Sequence, residues 1–256
     1  MFKTGRLIYG EFVYKLLEDD TAVIYLYRGK ERVLIVPEWI DGYKVTGIWD
    51  RAFRDCRTLE EIIIPKGVTR IGFEAFLRCE NLNRIILQEG LIEIDGKAFC
   101  DCCKLRDIQL PGNVKSIGYK AFCHCENLKQ ITLPKGITHI GIKAFEHCTG
   151  LKEITLPEGI DRIEFGTFQN CIYLERINLP QSMRSIGDDA FCFCHSLKEI
   201  TFPEGVMDIG ECAFAFCKRL KKITLPNRAV RIGDRAFWEC SRSLEKAILP
   251  ANNSGH

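Results

Sequence analysis

Phenylalanine, cysteine and isoleucine recur along this chain with a constant period of 23 residues. The repeat Phe runs from Phe53 to Phe237, an Ile precedes each Phe by five residues, and a Cys follows each by three. All three positions are filled in nine units out of nine, and Pro closes every unit except the one with Gln88. Self-similarity at a fixed period is the signature of stacked repeat architectures. The pattern therefore predicts a solenoid whose units share one continuous core.

The unit reads I-G-x-x-A-F-x-x-C-x-x-L-x-x-I-x-L-P-x-x-V-x-x, and it divides into three short segments. L-x-x-I-x-L-P, as at residues 151–157, alternates apolar and polar positions and predicts a strand that Pro ends. V-x-x-I predicts a second brief extended piece. G-x-x-A-F-x-x-C places its apolar residues at roughly helical spacing, so we expect one or two helical turns there. The expected class is α/β, with short parallel strands on one face of the solenoid and helical turns on the other.

This repeat resembles that of the BspA-like leucine-rich-repeat family. The resemblance covers about residues 33 to 250 and is carried by every unit, for example by Ile117-Gly118, Ala121-Phe122, Cys125, Leu128, Ile131 and Leu133-Pro134. It implies a leucine-rich-repeat solenoid. It also implies a role in adhesion or in binding a host or matrix partner, commonly at a cell surface.

The two ends depart from the period. Residues 11–17 and 21–27 are strand-like and flank a Glu18-Asp19-Asp20 turn signal, which predicts a β-hairpin. Residues 33–37 read as a degenerate repeat strand, so we expect residues 1–47 to form an N-terminal cap over the first unit. Residues 48–250 form the nine repeats, and residues 251–256 are expected to be a disordered tail. No cap is recognisable at the C-terminal end, which is expected to be either a place where a second copy docks or a cut inside a longer protein.

Nine of the fourteen cysteines occupy the repeat position, which favours small buried thiols over disulfides. Of the other five, Cys100 and Cys123 stand at equivalent places in adjacent units and could be oxidised to a disulfide. His124 and His147 are equivalent in the same way, and the four together could hold a metal. Their spacing matches no usual zinc pattern, so we expect no metal and no cofactor. A thiol-rich metal or redox protein remains the alternative.

Catalysis needs unlike groups that converge in a pocket, whereas a regular solenoid repeats like groups along a line. The sequence contains no G-x-G-x-x-G, G-x-S-x-G or H-E-x-x-H motif, and we expect no enzyme. No stretch is long and apolar enough to cross a bilayer, and the net charge of +2 gives no general attraction to nucleic acid. Without a leader or a wall anchor and with many free thiols, the sequence predicts a soluble cytoplasmic protein. The alternative is a secreted or cell-surface protein, as the resemblance implies.

Strand alternation predicts which residues of the first strand face outward. Two outward positions per strand carry in-register charges and threonines, which form either a self-satisfied ladder or a strip that binds a protein partner. The candidate partner-binding residues are Gln130, Thr132, Glu153, Thr155, Arg176, Asn178, Glu199, Thr201, Lys222 and Thr224. A second patch, Phe193, Phe216 and Trp238, falls on the turn side and is either buried core or an exposed contact surface. The leading interpretation is an interaction or adhesion module, and a structural spacer within a larger surface protein is a further alternative.

Overall fold

The computed structural model describes residues 2–241 and shows a solenoid of stacked coils, each with two short strands. The N-terminal strands are β1 (Leu7–Tyr9), β2 (Phe12–Leu16), β3 (Ala22–Tyr27), β4 (Val33–Ile35), β5 (Trp39–Ile40) and β6 (Tyr43–Ile48). Further along, the strands after each repeat Cys are β7 (Glu61–Ile64), β9 (Arg84–Leu87), β11 (Asp107–Gln109), β13 (Gln130–Thr132), β15 (Glu153–Thr155), β17 (Arg176–Asn178), β19 (Glu199–Thr201) and β21 (Lys222–Thr224). The strands before each repeat Phe are β8 (Arg70–Ile71), β10 (Glu93–Ile94), β12 (Ser116–Ile117), β14 (His139–Ile140), β16 (Arg162–Ile163), β18 (Ser185–Ile186), β20 (Asp208–Ile209) and β22 (Arg231–Ile232).

Two parallel sheets run along the solenoid. The first sheet contains β4, β7 and β9 and continues through the pairs β11–β13, β15–β17 and β19–β21, with neighbouring groups in contact. The second sheet contains β6, β8, β10, β12 and β14, and it continues as β16, β18, β20 and β22. Partners are 23 residues apart, as in Ile154↔Ile177 and Ile117↔Ile140. Equivalent residues of consecutive coils therefore form straight columns, and each coil is numbered here from coil 1 (Phe53) to coil 9 (Phe237).

The N-terminal strands extend the second sheet. β2 and β3 pair as an antiparallel hairpin around the Asp19–Asp20 turn, and β1 pairs antiparallel with β2 at the outer edge. β3 then pairs parallel with β6, so the hairpin lies directly on coil 1. β4 pairs parallel with β7 and supplies the first strand of the first sheet. The expected disordered tail, 251–256, lies outside the described residues.

The segment from the repeat Ile to the repeat Cys forms successive turns, and the described residues contain no helix. The prediction of helical turns is therefore wrong. In each coil, the residues two before and two after the repeat Phe have positive φ, with values between 52° and 63°. The backbone between them bonds to the next coil, as when Phe122 N–H donates to Ala144 O at 2.8 Å. A helix needs negative φ throughout and bonds within the segment, so apolar spacing alone was misleading here.

The core is a stack of equivalent side chains. The repeat Phe rings of adjacent coils lie parallel, with centroids 4.9–5.5 Å apart from Phe53 to Phe237. Repeat Ile, Ala and Leu side chains surround them and are almost fully buried in coils 1 to 8. The glycine after the repeat Ile permits close stacking, because a Cβ on Gly141 would lie 2.7 Å from the backbone carbon of Gly118. Among residues 2–241, no helix is long and apolar enough to cross a membrane.

Candidate partner-binding surface

The first sheet presents one side of every strand to solvent. In each of its strands from β11 onward, a buried central Ile lies between two exposed residues, as with Glu153, Ile154 and Thr155 of β15. All ten candidate residues are exposed, and they lie in two adjacent columns across β13 to β21. The structure therefore brings them together on one continuous surface.

Some polar side chains of this surface already pair with one another. Arg176 pairs with Glu153 at 2.9 Å, and Asn178 Nδ2 donates to Thr155 Oγ1 at 3.0 Å, both across the β15–β17 register. The hydrogen bond from Arg176 to Glu153 raises the pKa of the guanidinium. Both charged side chains are about two-thirds exposed, and such pairs add little stability. These charges therefore remain accessible to a partner.

One of the two columns is aliphatic in the N-terminal third of the same surface. Val33 and Ile35 of β4 are 59% and 66% exposed, and Ile35 lies in register with Ile63, which lies in register with Ile86. The same column then changes to Gln109, Thr132 and Thr155. The candidate set omitted this aliphatic cluster. The sequence signal was present, since isoleucine fills a position that is polar in later coils.

Two shallow hollows mark the surface. The first lies next to the aliphatic cluster and is lined by Arg84, Ile86, Asp107, Gln109, Gln130 and Thr132, among others. The second includes Arg176, Asn178, Glu199 and Thr201. The surface thus offers apolar contact at one end and charged and hydroxyl groups along the rest, a mixture that protein interfaces commonly use.

The repeat cysteines belong to the core. In coils 2 to 9 the thiol donates to the carbonyl oxygen of the preceding coil's repeat Phe, as from Cys148 Sγ to Phe122 O at 3.1 Å. Burial raises the pKa of the Cys148 thiol well above its ordinary value, and the same holds for Cys102, Cys125 and Cys194. These thiols therefore stay protonated and unreactive.

Cys100 and Cys123 pack together on the turn side, beside Leu77. Both are free thiols, and Cys123 Sγ donates to Glu146 Oε2 at 3.3 Å. The pKa of Cys123 is raised, first by its hydrogen bond to Cys100 and then by burial. The rings of His124 and His147 stack with centroids 4.4 Å apart, one position further along each coil. Within residues 2–241, no three His, Cys, Asp or Glu side chains converge in a way that could hold a metal.

The patch of Phe193, Phe216 and Trp238 forms a continuous aromatic stack. Phe193 and Phe216 lie parallel at 4.5 Å, and Trp238 meets Phe216 edge-on at 4.9 Å. Both Phe residues are half-buried and Trp238 is 48% exposed. Of the two alternatives, the patch is therefore neither: the two Phe rings are partly covered, and Trp238 at the C-terminal end is accessible.

Comparison with known proteins identifies the repeat. A family model described as the BspA-type leucine-rich repeat region, with six copies, matches residues 46–175 and 161–255. No protein with a curated description matches the sequence.

Solved bacterial structures share the fold. A leucine-rich repeat protein of Treponema pallidum is 33% identical, with a TM-score of 0.71 over 75% of this chain and 91% of that one. A leucine-rich repeat protein of Bacteroides ovatus is 28% identical, with a TM-score of 0.69 over 91% of this chain and 68% of that one. A third, from Eubacterium ventriosum, is 18% identical with a TM-score of 0.52 over 86% and 72%, and supports the fold alone. With its regular 23-residue coils and paired parallel strands, this chain belongs to the BspA-type leucine-rich repeat family.

Proposed function

We propose that this chain is a non-catalytic interaction module that binds a protein partner on the exposed face of the first sheet. The observation that carries the proposal is the composition of that face. An aliphatic cluster, in which Val33 and Ile35 are exposed and Ile63 and Ile86 are half-buried, adjoins two columns of accessible charged and hydroxyl side chains. Exposed apolar side chains rimmed by polar groups are typical of interaction sites on soluble proteins. Membership of a repeat family supports the same use, because solenoids commonly bind through an extended strand surface.

The partner is expected to combine an aliphatic segment with charges of both signs. The aliphatic segment would bury Ile35, Ile63 and Ile86, and desolvation there would supply most of the affinity. The columns beyond carry Glu153, Arg176, Glu199 and Lys222 in alternation, which favours a partner with alternating charge rather than a uniformly acidic or basic one. This charge pattern would set the orientation of the partner and its register along the solenoid.

The test has two stages. The immobilised chain captures candidate partners from an extract of the cells that produce it, and each candidate is then purified and titrated calorimetrically against variants. Ile63→Glu probes the aliphatic cluster, and the double variant Thr155→Arg with Thr201→Arg probes the polar columns. The matched control is Thr138→Arg, an exposed threonine just before β14 on the second-sheet side.

A partner of the first sheet should lose at least about tenfold in affinity with one of the face variants and remain unchanged with Thr138→Arg. All these positions are at least partly solvent-exposed, so thermal unfolding of the variants should match that of the wild type. The proposal fails if every purified partner binds the face variants and the wild type with equal affinity.

A further inference from the structure

Four basic side chains lie together at the start of β21, and only one of them, Lys222, belongs to the columns considered above. We define the basic band as these four residues of coil 8, which are Lys218, Arg219, Lys221 and Lys222. All four are exposed, and the buried Leu220 separates them into two pairs. The net charge of the whole chain is only +2, so coil 8 concentrates positive charge that the other coils do not carry.

Backbone hydrogen bonds hold the band against coil 7. Arg219 N–H donates to His195 O at 3.2 Å, and Lys221 N–H donates to Lys198 O at 2.9 Å. Lys222 pairs in register with Glu199 in the β19–β21 ladder. The backbone of the band is therefore already ordered, and a ligand would have to order only exposed side chains.

The charge of the band is not neutralised by the described part of the chain. In coils 6 and 7 the equivalent column is self-paired, because Lys198 forms an ion pair with Glu175. None of the four band residues forms an ion pair within residues 2–241. Glu199 lies in register with Lys222 but is not paired with it in that part of the chain. The band consequently attracts an anion from outside the molecule.

The shape of the band favours a narrow ligand. It extends roughly 13 Å from Lys218 to Lys222 and is one coil wide, about 4.8 Å. Glu175 and Glu199 lie in the two preceding coils. A broad anionic surface, such as a bilayer or a nucleic-acid duplex, would meet these carboxylates as well as the band. A single chain that crosses the solenoid along β21 would meet mainly the basic side chains.

The surroundings of the band favour a ligand without apolar groups. Every exposed residue within 195–201 and 218–224 is charged or is a threonine. A single-stranded nucleic acid binds through aromatic side chains on which its bases stack, and a peptide gains most of its affinity from buried apolar side chains. These two segments expose neither kind of side chain. A ligand with dense negative charge and many hydroxyl groups fits the band better, and a sulfated polysaccharide has both.

We propose that the basic band binds a linear sulfated polysaccharide that lies across the solenoid along β21. The guanidinium of Arg219 and the ammonium groups of Lys218 and Lys221 donate charge-assisted hydrogen bonds to the sulfate oxygens. The exposed hydroxyl of Thr224 lies further along the same strand and can bond to a sugar hydroxyl. Binding releases the counterions condensed on the polyanion, so the affinity falls steeply as salt is raised.

The first experiment titrates the full chain with heparin, a sulfated polysaccharide, by calorimetry at neutral pH and about 0.15 M NaCl. Wild type should bind heparin, and its affinity should fall as the salt concentration rises. The double variant Lys218→Gln with Arg219→Gln should bind at least about tenfold more weakly. Its slope of log affinity against log salt concentration should be smaller by about two, because two contacts are lost.

The matched control is the double variant Lys129→Gln with Lys152→Gln. Both residues are exposed bases of coils 4 and 5, they lie in the column that contains Lys221, and their loss changes the net charge equally. The control should bind heparin within about twofold of wild type. An equal loss of affinity in the two double variants would overturn the proposal, because heparin would then respond to total charge or lie along the solenoid.

Glu199→Gln should change the affinity in the opposite direction. It removes the carboxylate in register with Lys222, so heparin binding should strengthen by about two- to threefold. Weaker binding by this variant would contradict the placement of the ligand at the band.

Three other anions test the chemical class of the ligand. They are poly-L-glutamate, a single-stranded oligothymidylate and vesicles that contain phosphatidylserine. Compared at equal concentrations of anionic groups, each should bind at least about tenfold more weakly than heparin. Equal or tighter binding of any of them would overturn the assignment to a sulfated polysaccharide. A wild type that does not bind heparin at roughly 300 µM would overturn the band as an anion site.

Two further measurements keep the interpretation clear. Thermal unfolding of all these variants should match that of wild type, because the substituted side chains are exposed. Ile63→Glu, at the opposite end of the first sheet, should leave heparin binding unchanged. This proposal and the proposed function can therefore fail independently.

Discussion

The first sheet and the turn side of the solenoid, which is the segment from each repeat Ile to the repeat Cys, are built by the same 23-residue unit, yet their backbones are organised differently. On the first sheet the backbone is extended, and side chains alternate between core and solvent with no unusual conformation. On the turn side two residues per coil adopt positive φ, and buried thiols donate hydrogen bonds to carbonyls of the preceding coil. The strand side tolerates almost any outward residue, whereas the turn side is specified by backbone geometry and close packing. Substitutions should therefore have unequal effects on the two sides.

The largest effect is expected in the ring stack behind the turns. Phe145 is fully buried between Phe122 and Phe168, with centroids 5.5 Å away on both sides. Phe145→Ala should lower the free energy of unfolding by about 3–5 kcal/mol, because it removes the ring and leaves a cavity. Urea denaturation measures this. Tyr173→Ala, at a 58% exposed ring, is the control and should change little.

Glu146 and Glu153 allow a buried ion pair on the turn side to be compared with an exposed ion pair on the strand side. Glu146 is 6% exposed. Burial alone would raise its pKa, but hydrogen bonds from Lys143, Cys123 and Lys120 outweigh burial and hold the pKa below its ordinary value. Glu146→Gln should cost about 2 kcal/mol at neutral pH. The exposed Glu153→Gln should cost less than about 0.5 kcal/mol.

The sign of the pH dependence follows from the lowered pKa of Glu146. Its carboxylate stabilises the folded state fully above the unfolded pKa of 4.5, and this stabilisation is lost as the pH falls through the lower folded pKa. The stability difference between wild type and Glu146→Gln in urea unfolding should therefore be full at neutral pH and shrink as the pH is lowered below 4.5. A difference that stays constant as the pH falls into the acid range would contradict the assignment.

A smaller effect is expected from backbone conformation alone. Asn170 has a φ of 60°, which a β-branched residue adopts at a cost. Asn170→Val should lower the unfolding free energy by about 1–2 kcal/mol. Thr132→Val, in the extended backbone of β13, should change it by less than about 0.5 kcal/mol. Equal effects at the two positions would mean that the positive φ does not constrain the turn.

The smallest expected effect concerns the hydrogen bond of a repeat thiol. Cys148→Ala removes the donor to Phe122 O, whereas Cys148→Ser keeps a donor in a similar volume. We expect the Ala variant to be less stable than the Ser variant by about 0.5–1 kcal/mol in thermal or urea unfolding. The opposite order would show that the thiol acts only as an apolar filler.

The sequence predicted much of the strand side. The alternation around residues 153–155 identified both the buried Ile154 and the exposed Glu153 and Thr155. Strand alternation is a local property with a period of two, so a single chain reveals it. Strand alternation also places Ile63 and Ile86 on the outward face, although the candidate set left them out. Ile35 precedes the first regular repeat, and only the register of β4 with β7 places it in the same column.

The sequence by itself determined the period, the inward positions and the stacking of equivalent residues, because a buried column can be read from any residue type that returns at a fixed interval. Only the tertiary structure decided the backbone of the turn. Apolar residues at 53 and 56 fit a helix as well as a turn, and the hydrogen bonds to the neighbouring coil select the turn. These hydrogen bonds join residues 22 positions apart, as from Phe122 to Ala144, and no local pattern encodes them.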